Sequence, residues 1–190
     1  MTTAFPQDEI LAFWFGPRPH QDRDVWFRKD PTFDAVVRAR FGTTIETALA
    51  GGWPDAGMTP FGALALVLVL DQFTRNAFRD TPRAFAGDAR ALAAATRAIG
   101  AGQDRTLDRY ERGFLYMPFE HAEDLTMQER AVALFKALAA ETGEPGNLEW
   151  AERHAAVVRR FGRFPHRNVI LGRQSTPEEI AFLHEPGSRF

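Results

Sequence analysis

Between recurring helix start and stop signals, the apolar and polar positions of this chain leave little that reads as strand. "FPQDEILAFWFG" predicts a first helix from near Pro6 to Gly16. "DPTFDAVVRARFGTTIETALAGG" predicts a second, with Asp30 as N-cap, Pro31 at the first helical position and a stop at Gly51-Gly52. Gly42 is a point where that helix is expected to kink or divide. "TPFGALALVLVLDQFTRNAF" opens at Thr59-Pro60 and is expected to run to about Phe78. Its apolar core "ALALVLVL" fits a buried strand equally well by pattern, but the Thr-Pro start and the run into "DQFTRN" favour helix.

An alanine-rich helix should follow, ending near Gly100. Next come "LDRYERGFLYMPFEHAEDL", with Pro118 as a start or kink, and "TMQERAVALFKALAAETG", which carries a capping-box pattern at Thr126 and Glu129. "NLEWAERHAAVVRRFG" should start at Asn147 and end near Gly162. "STPEEIAFLHE" closes the set, with Thr176, Pro177 and Glu179 marking its N-terminus. The expectation is an all-α chain of about eight helices, forming a single domain over residues 1–190. No register repeats convincingly at roughly 30–45 residues, although helical hairpins of this length resemble tetratricopeptide pairs in plan. Residues 16–30 look the loosest.

The helix from Pro60 is apolar on every side through Leu70 and should be the buried, central one. Asp71, Gln72, Arg75 and Asn76 follow directly, placing Asp71 with Arg75 and Gln72 with Asn76 at i and i+4. Inside a core these four need partners, because an unpaired buried charge costs several kcal/mol. A second polar word, "YMPFEHAEDL", holds Tyr116, Glu120, His121, Glu123 and Asp124. Carboxylates beside a histidine supply general acid/base groups or orient an imidazole. Glu-x-x-His and His-Glu-x-x-His spacings are missing there, so no metal is assigned and no cofactor is expected.

The third word is "RRFGRFPHRNVILGR", Arg159 to Arg173. Gly162 ends a helix and Pro165 resists its continuation, so a turn is expected, pinned by Phe161 and Phe164 and presenting Arg163, His166, Arg167 and Asn168. Six arginines but one acid, Glu152, lie between Ala151 and Gln174, and the arginines need anions from "EHAED", from Asp71 or from a ligand. Arg75, His121, Asp124, His166 and Arg167 are therefore expected to meet around one cleft within about 10 Å. The competing expectation is an all-protein salt-bridge network.

Composition narrows the functions. Apolar residues make up 45% and charged residues 25%, as in a soluble globular protein. No cysteine is present, which excludes disulfides, thiolate metal sites and cysteine nucleophiles. A net charge of −2 argues against a general nucleic-acid binder. Lysine occurs only at 29 and 136, with arginine as the other cation, and arginine suits bidentate contacts with carboxylate or phosphate. No signal-peptide pattern or membrane-spanning run is seen, so the expectation is a cytoplasmic protein with no membrane partner. A Gly-x-Ser-x-Gly elbow, a Walker loop and a Gly-x-Gly-x-x-Gly fingerprint are all missing.

"LDQFTRNAFRDTPRAFAGD", "FLYMPFEHAEDL", "RFGRFPHRNVILGR" and "STPEEIAFL", with "ILAFWFG" and the terminal "GSRF", together resemble the bacterial domain-of-unknown-function-924 family over nearly the whole chain. The resemblance implies a divergent tetratricopeptide-like helical domain and supplies no activity or site residue. Three functions compete. The first is a helical binding protein whose Arg/His/Asp/Asn cleft takes a small anionic molecule or an acidic peptide end. The second is an enzyme with His121 or His166 as general acid/base and Arg75, Arg163 or Arg167 holding an anionic substrate. The third is a structural or partner-docking domain.

Overall fold

The structure, a computed structural model, describes residues 4–54 and 56–188. Every regular element among the described residues is helical. The chain divides into two compact units, one of Met1–Arg79 with Arg83–Pro118, the other of Asp80–Pro82 with Phe119–Phe190.

In the first unit, α1 spans Gln7–Phe15 and α2 spans Pro31–Leu49. The Asp30 carboxylate accepts from the backbone N–H groups of Thr32 and Phe33, with Pro31 in the first turn, as the sequence predicts. Gly42 does not divide α2, which continues through it. Thr59 caps α3, Pro60–Val67, through Gly62 N–H. The helical run continues as a π-helical stretch, Leu68–Phe73, and then as α4, Thr74–Ala77. Side chains from Ala63 to Phe73 are buried, as an all-round apolar helix requires. Against this run pack α1, α2 and α5, the last spanning Asp88–Gly100. Phe73 stacks obliquely on Phe41 and Trp14, with ring centroids 4.8 and 5.6 Å away. Burying each such ring stabilises the unit by about 1.5–3 kcal/mol.

The π stretch was not anticipated. Within it the Thr74 hydroxyl donates to Leu70 O at 2.8 Å, a side-chain bond that supports the backbone where the turn widens. Gly87, the N-cap residue of α5, lies against the same carbonyl. The stretch expected to be loosest is also tied down. Arg23 donates to the carbonyls of Phe13 and Trp14, and the Trp26 indole donates to Trp14 O at 2.9 Å. The unit ends on α6, Arg109–Glu120, which contains Pro118 and whose last two residues belong to the second unit.

In the second unit, α7 spans Leu125–Thr142 and α8 spans Leu148–Phe161, and the two pack along each other. The start of α7 corrects the sequence reading. Asp124, rather than Thr126, is the N-cap, and its carboxylate accepts from Met127 N–H at 2.9 Å. Asp and Thr are both good caps, and here the aspartate takes the position. At the other end of the hairpin, Gly162 takes φ 70° and donates its N–H to Val158 O, a conformation that excludes most side chains. The chain then makes a single 3₁₀ turn, Pro165–Arg167, and closes with α9, Pro177–Phe182, whose Thr176–Glu179 capping box forms as predicted. Phe164 is fully buried, and half-buried Phe161 packs on Phe182, so the arginine-rich turn is pinned by its aromatics. No helix among the described residues is long and apolar enough to cross a membrane.

Candidate functional site

The second unit gathers histidines around Phe164. Glu120 ends α6, and His121 and Ala122 turn the chain toward α7. Fully buried Gln128 on α7 holds that turn, its amide donating to Glu120 O at 2.6 Å and Ala122 O at 2.7 Å. On α8, His154 lies in the buried stripe Ala151–His154–Ala155–Val158, at the i, i+3, i+4, i+7 spacing of a core face. Its ring centroid is 6.3 Å from His121 and 5.5 Å from Phe164. The His166 ring is 5.7 Å from Phe164, and the buried Arg167 guanidinium sits 4.5 Å over the same aromatic face.

His154 Nδ1 is 2.8 Å from Trp150 O and 3.1 Å from Glu120 Oε1. Both neighbours are acceptors, so Nδ1 carries the proton and Nε2 is left as a lone pair. Burial is the main cause that lowers the His154 pKa to about 3, with Arg167 adding to it and the bond to Trp150 O opposing it. With a neutral ring, the contact with Glu120 is not an ion pair. Burial and Arg167 likewise lower His166 to about 4, against a raising influence from Glu123. The result is two neutral imidazoles in the field of one buried guanidinium.

Arg160, Arg163 and Arg173 find protein carboxylates. Arg173 grips Glu123 at 2.5 and 2.8 Å, and Arg163 grips Glu179 at 2.6 and 2.8 Å. Exposed Arg160 reaches Glu178 at 3.0 Å. Glu123 also accepts from Phe164 N–H, and buried Asn168 bridges Arg173, Ser175 and Glu179. Of the acidic word, Glu123 supplies an anion to the turn as expected, whereas Asp124 is a helix cap.

The remaining residues singled out from sequence lie in the first unit. Asp71 and Arg75 pair at 3.0 Å, as i, i+4 spacing predicts, and Arg75 is also bidentate to Asp88. Gln72 and Asn76 do not pair with each other. Gln72 donates to Asp71 and to the Met117 sulfur, and Asn76 donates to Asp34 at 2.7 Å. The Tyr116 hydroxyl donates to buried Asp104 at 2.7 Å, and burial pushes its pKa up to about 12. Arg75 thus belongs to the first unit, and His121, Asp124, His166 and Arg167 belong to the second. Sequence reading missed His154 and Gln128. A lone histidine on an alanine-rich face gives no signal beyond that of a core residue.

Acidification should cost stability in two ranges. His154 and His166 bind protons in the unfolded chain near 6.5 but in the folded chain only near 3 and 4. Their contribution is complete above 6.5 and is lost as pH falls toward those lower values. Between about pH 7 and pH 5 each imidazole accounts for about 2 kcal/mol. Arg163 holds Glu179 down at about 2 from its usual 4.5, so that loss begins only below 4.5. Urea unfolding across this range should show the first loss reduced in His154→Gln and the second reduced in Glu179→Gln. A flat stability curve between pH 7 and pH 5 would place the imidazoles in water.

Comparisons with known proteins agree on the fold and offer no activity. The family model described as "Bacterial protein of unknown function (DUF924)" matches residues 10–187. A solved structure of a protein of unknown function from Agrobacterium tumefaciens is 40% identical, covering 94% of this chain and 96% of that one with a TM-score of 0.85. No curated protein matches the chain.

Proposed function

The chain belongs to the DUF924 family of bacterial proteins of unknown function, and from that premise we propose that it binds a small anionic molecule, or the carboxylate end of an acidic peptide, at Arg167 and the imidazoles of His121 and His166. The observation that carries this reading is the electrostatics at Phe164. Arg167 adds to the burial that lowers both His154 and His166, against the nearby carboxylates of Glu120 and Glu123. A carboxylate or phosphate pairs with the Arg167 guanidinium, and a ring N–H of His121 or His166 donates to it, whereas His154 spends its N–H on Trp150 O. Arg163, Arg173 and Asn168 serve as the frame, held by Glu179 and Glu123. A tetratricopeptide-like plan of helical hairpins, a cytoplasmic setting and the absence of a nucleic-acid partner belong to the same proposal.

A second reading, acid/base chemistry on the bound anion, draws on His154. Its ring is oriented through Nδ1 by Trp150 O, beside Glu120. His121 and His166 are the neighbouring acid/base candidates.

Titration with inorganic phosphate and with acetate, followed through the histidine ring NMR signals, tests the binding. A bound anion raises the pKa of His154 and His166, so binding takes up protons and tightens as pH falls. At one hundred times Kd the ligand adds about 2.7 kcal/mol of stability. Arg167→Gln should remove the response. If neither anion moves the histidine signals, and Arg167→Ala costs on the order of 3–5 kcal/mol, the arginine belongs to a closed structural network and the binding proposal fails.

A further inference from the structure

The first unit carries a different constellation, built from His20, Asp108 and Glu111. One imidazole nitrogen and one oxygen from each carboxylate lie within 4.8 Å of one another, although the histidine and the acids are some ninety positions apart. His20 Nδ1 is 2.7 Å from Asp108 Oδ2 and 3.9 Å from Glu111 Oε1. We propose that these three side chains form a binding site for a divalent first-row transition-metal ion, and that Arg18 occupies it as the cation the ion displaces.

The two carboxylates are divided in function. Asp108 Oδ1 accepts from the N–H groups of Tyr110 and Glu111, and Glu111 Oε2 accepts from Asp108 N–H at 2.9 Å. That reciprocal cap fixes one oxygen of each acid on the start of α6 and turns the other toward His20. Outer contacts of this kind orient metal ligands. The imidazole plane is set too, by stacking on buried Phe15 with centroids 5.0 Å apart. His20 and Glu111 are almost wholly buried, and Asp108 remains partly open to solvent.

One nitrogen and two oxygens suit zinc and its divalent neighbours, and three protein ligands leave positions for water. Ligand atoms around such an ion lie about 3–3.5 Å apart, so the set closes by a shift of about an ångström. At present Arg18 supplies the positive charge, with Nη1 3.2 Å from Asp108 Oδ2 and Nη2 against Glu111 Oε1. Its side chain is about half exposed, so it leaves for solvent at little cost. The ion takes the Nδ1 lone pair of the neutral ring, whose single proton then sits on Nε2.

Cobalt(II) titration of the whole chain, read by visible absorption, provides the test. The expected result is one ion per chain in the wild type, up to about fivefold tighter binding in Arg18→Ala, and at least tenfold weaker binding in His20→Ala. Asp108→Asn is the companion variant, because its amide oxygen still caps α6 while ligation weakens; it decides the matter if His20→Ala fails to fold. Absence of a cobalt spectrum in both wild type and Arg18→Ala overturns the proposal. So does binding that neither His20→Ala nor Asp108→Asn weakens, since the ion then sits elsewhere.

Discussion

Replacing Arg75 by alanine should lower stability by about 3–5 kcal/mol, seen as a fall in the urea midpoint at unchanged slope. Asp71 is completely buried in the π stretch, and the Arg75 Nη1 group meets both its carboxylate, at 3.0 Å, and its backbone carbonyl, at 2.7 Å. The same guanidinium is bidentate to Asp88 at 2.8 and 3.0 Å. Burial alone lowers the Arg75 pKa, but Asp71 and Asp88 more than offset it, so the arginine stays charged. Its loss leaves two neighbouring carboxylates, one of them beyond the reach of water, without this cation. Asp71→Asn added to Arg75→Ala should recover part of the loss, because the buried charge is then gone. A cost below about 1 kcal/mol, the range of exposed pairs, would show that water already screens Asp71.

Gly87→Ala should cost about 3 kcal/mol, at the upper end of what overpacking one methyl usually does. The reason is space rather than conformation, since Gly87 has φ −91°, open to any residue. A Cβ there would lie 2.0 Å from Leu70 O and 2.8 Å from its carbonyl carbon, and backbone atoms cannot swing aside. Gly42→Ala is the natural control. Nothing lies within 4 Å of a Cβ at that position in α2, so the change should stabilise by about 0.5–1 kcal/mol. Thermal unfolding of both variants checks the opposite signs; a neutral Gly87→Ala would mean that α5 can draw back from the π stretch.

Much of this architecture was legible in the residues. Asp30-Pro31, Thr59-Pro60 and Thr176-Pro177 each mark a helix start by supplying a side-chain acceptor and a residue that needs no N–H, and both signals are local. The π stretch was not legible, because no residue type demands it. It depends on how the run packs on α2 and α5. The same holds for the sites. Arginines in need of anions were visible as a charge imbalance, but Glu179 and Glu123 could be assigned to Arg163 and Arg173 only in three dimensions. His154 was hidden by its neighbours, since a histidine on an alanine-rich stripe reads as one more core residue. His20 was hidden by its setting in a stretch that reads as loop.

The widened turn at Leu68–Phe73 also changes how the longest helical run should be counted. A π turn takes about 4.4 residues where an α turn takes 3.6, so each residue advances about 82° instead of 100°. Over the six residues of the stretch the shortfall comes to about 100°, the angular share of one α-helical residue. The run from Pro60 to Ala77 therefore behaves as two α-helical pieces with a single residue inserted between them. A relative that lacked the insertion would align with a one-residue gap inside an otherwise unbroken helix, and its counterparts of Arg75 and Asn76 would face about 100° away from Asp88 and Asp34.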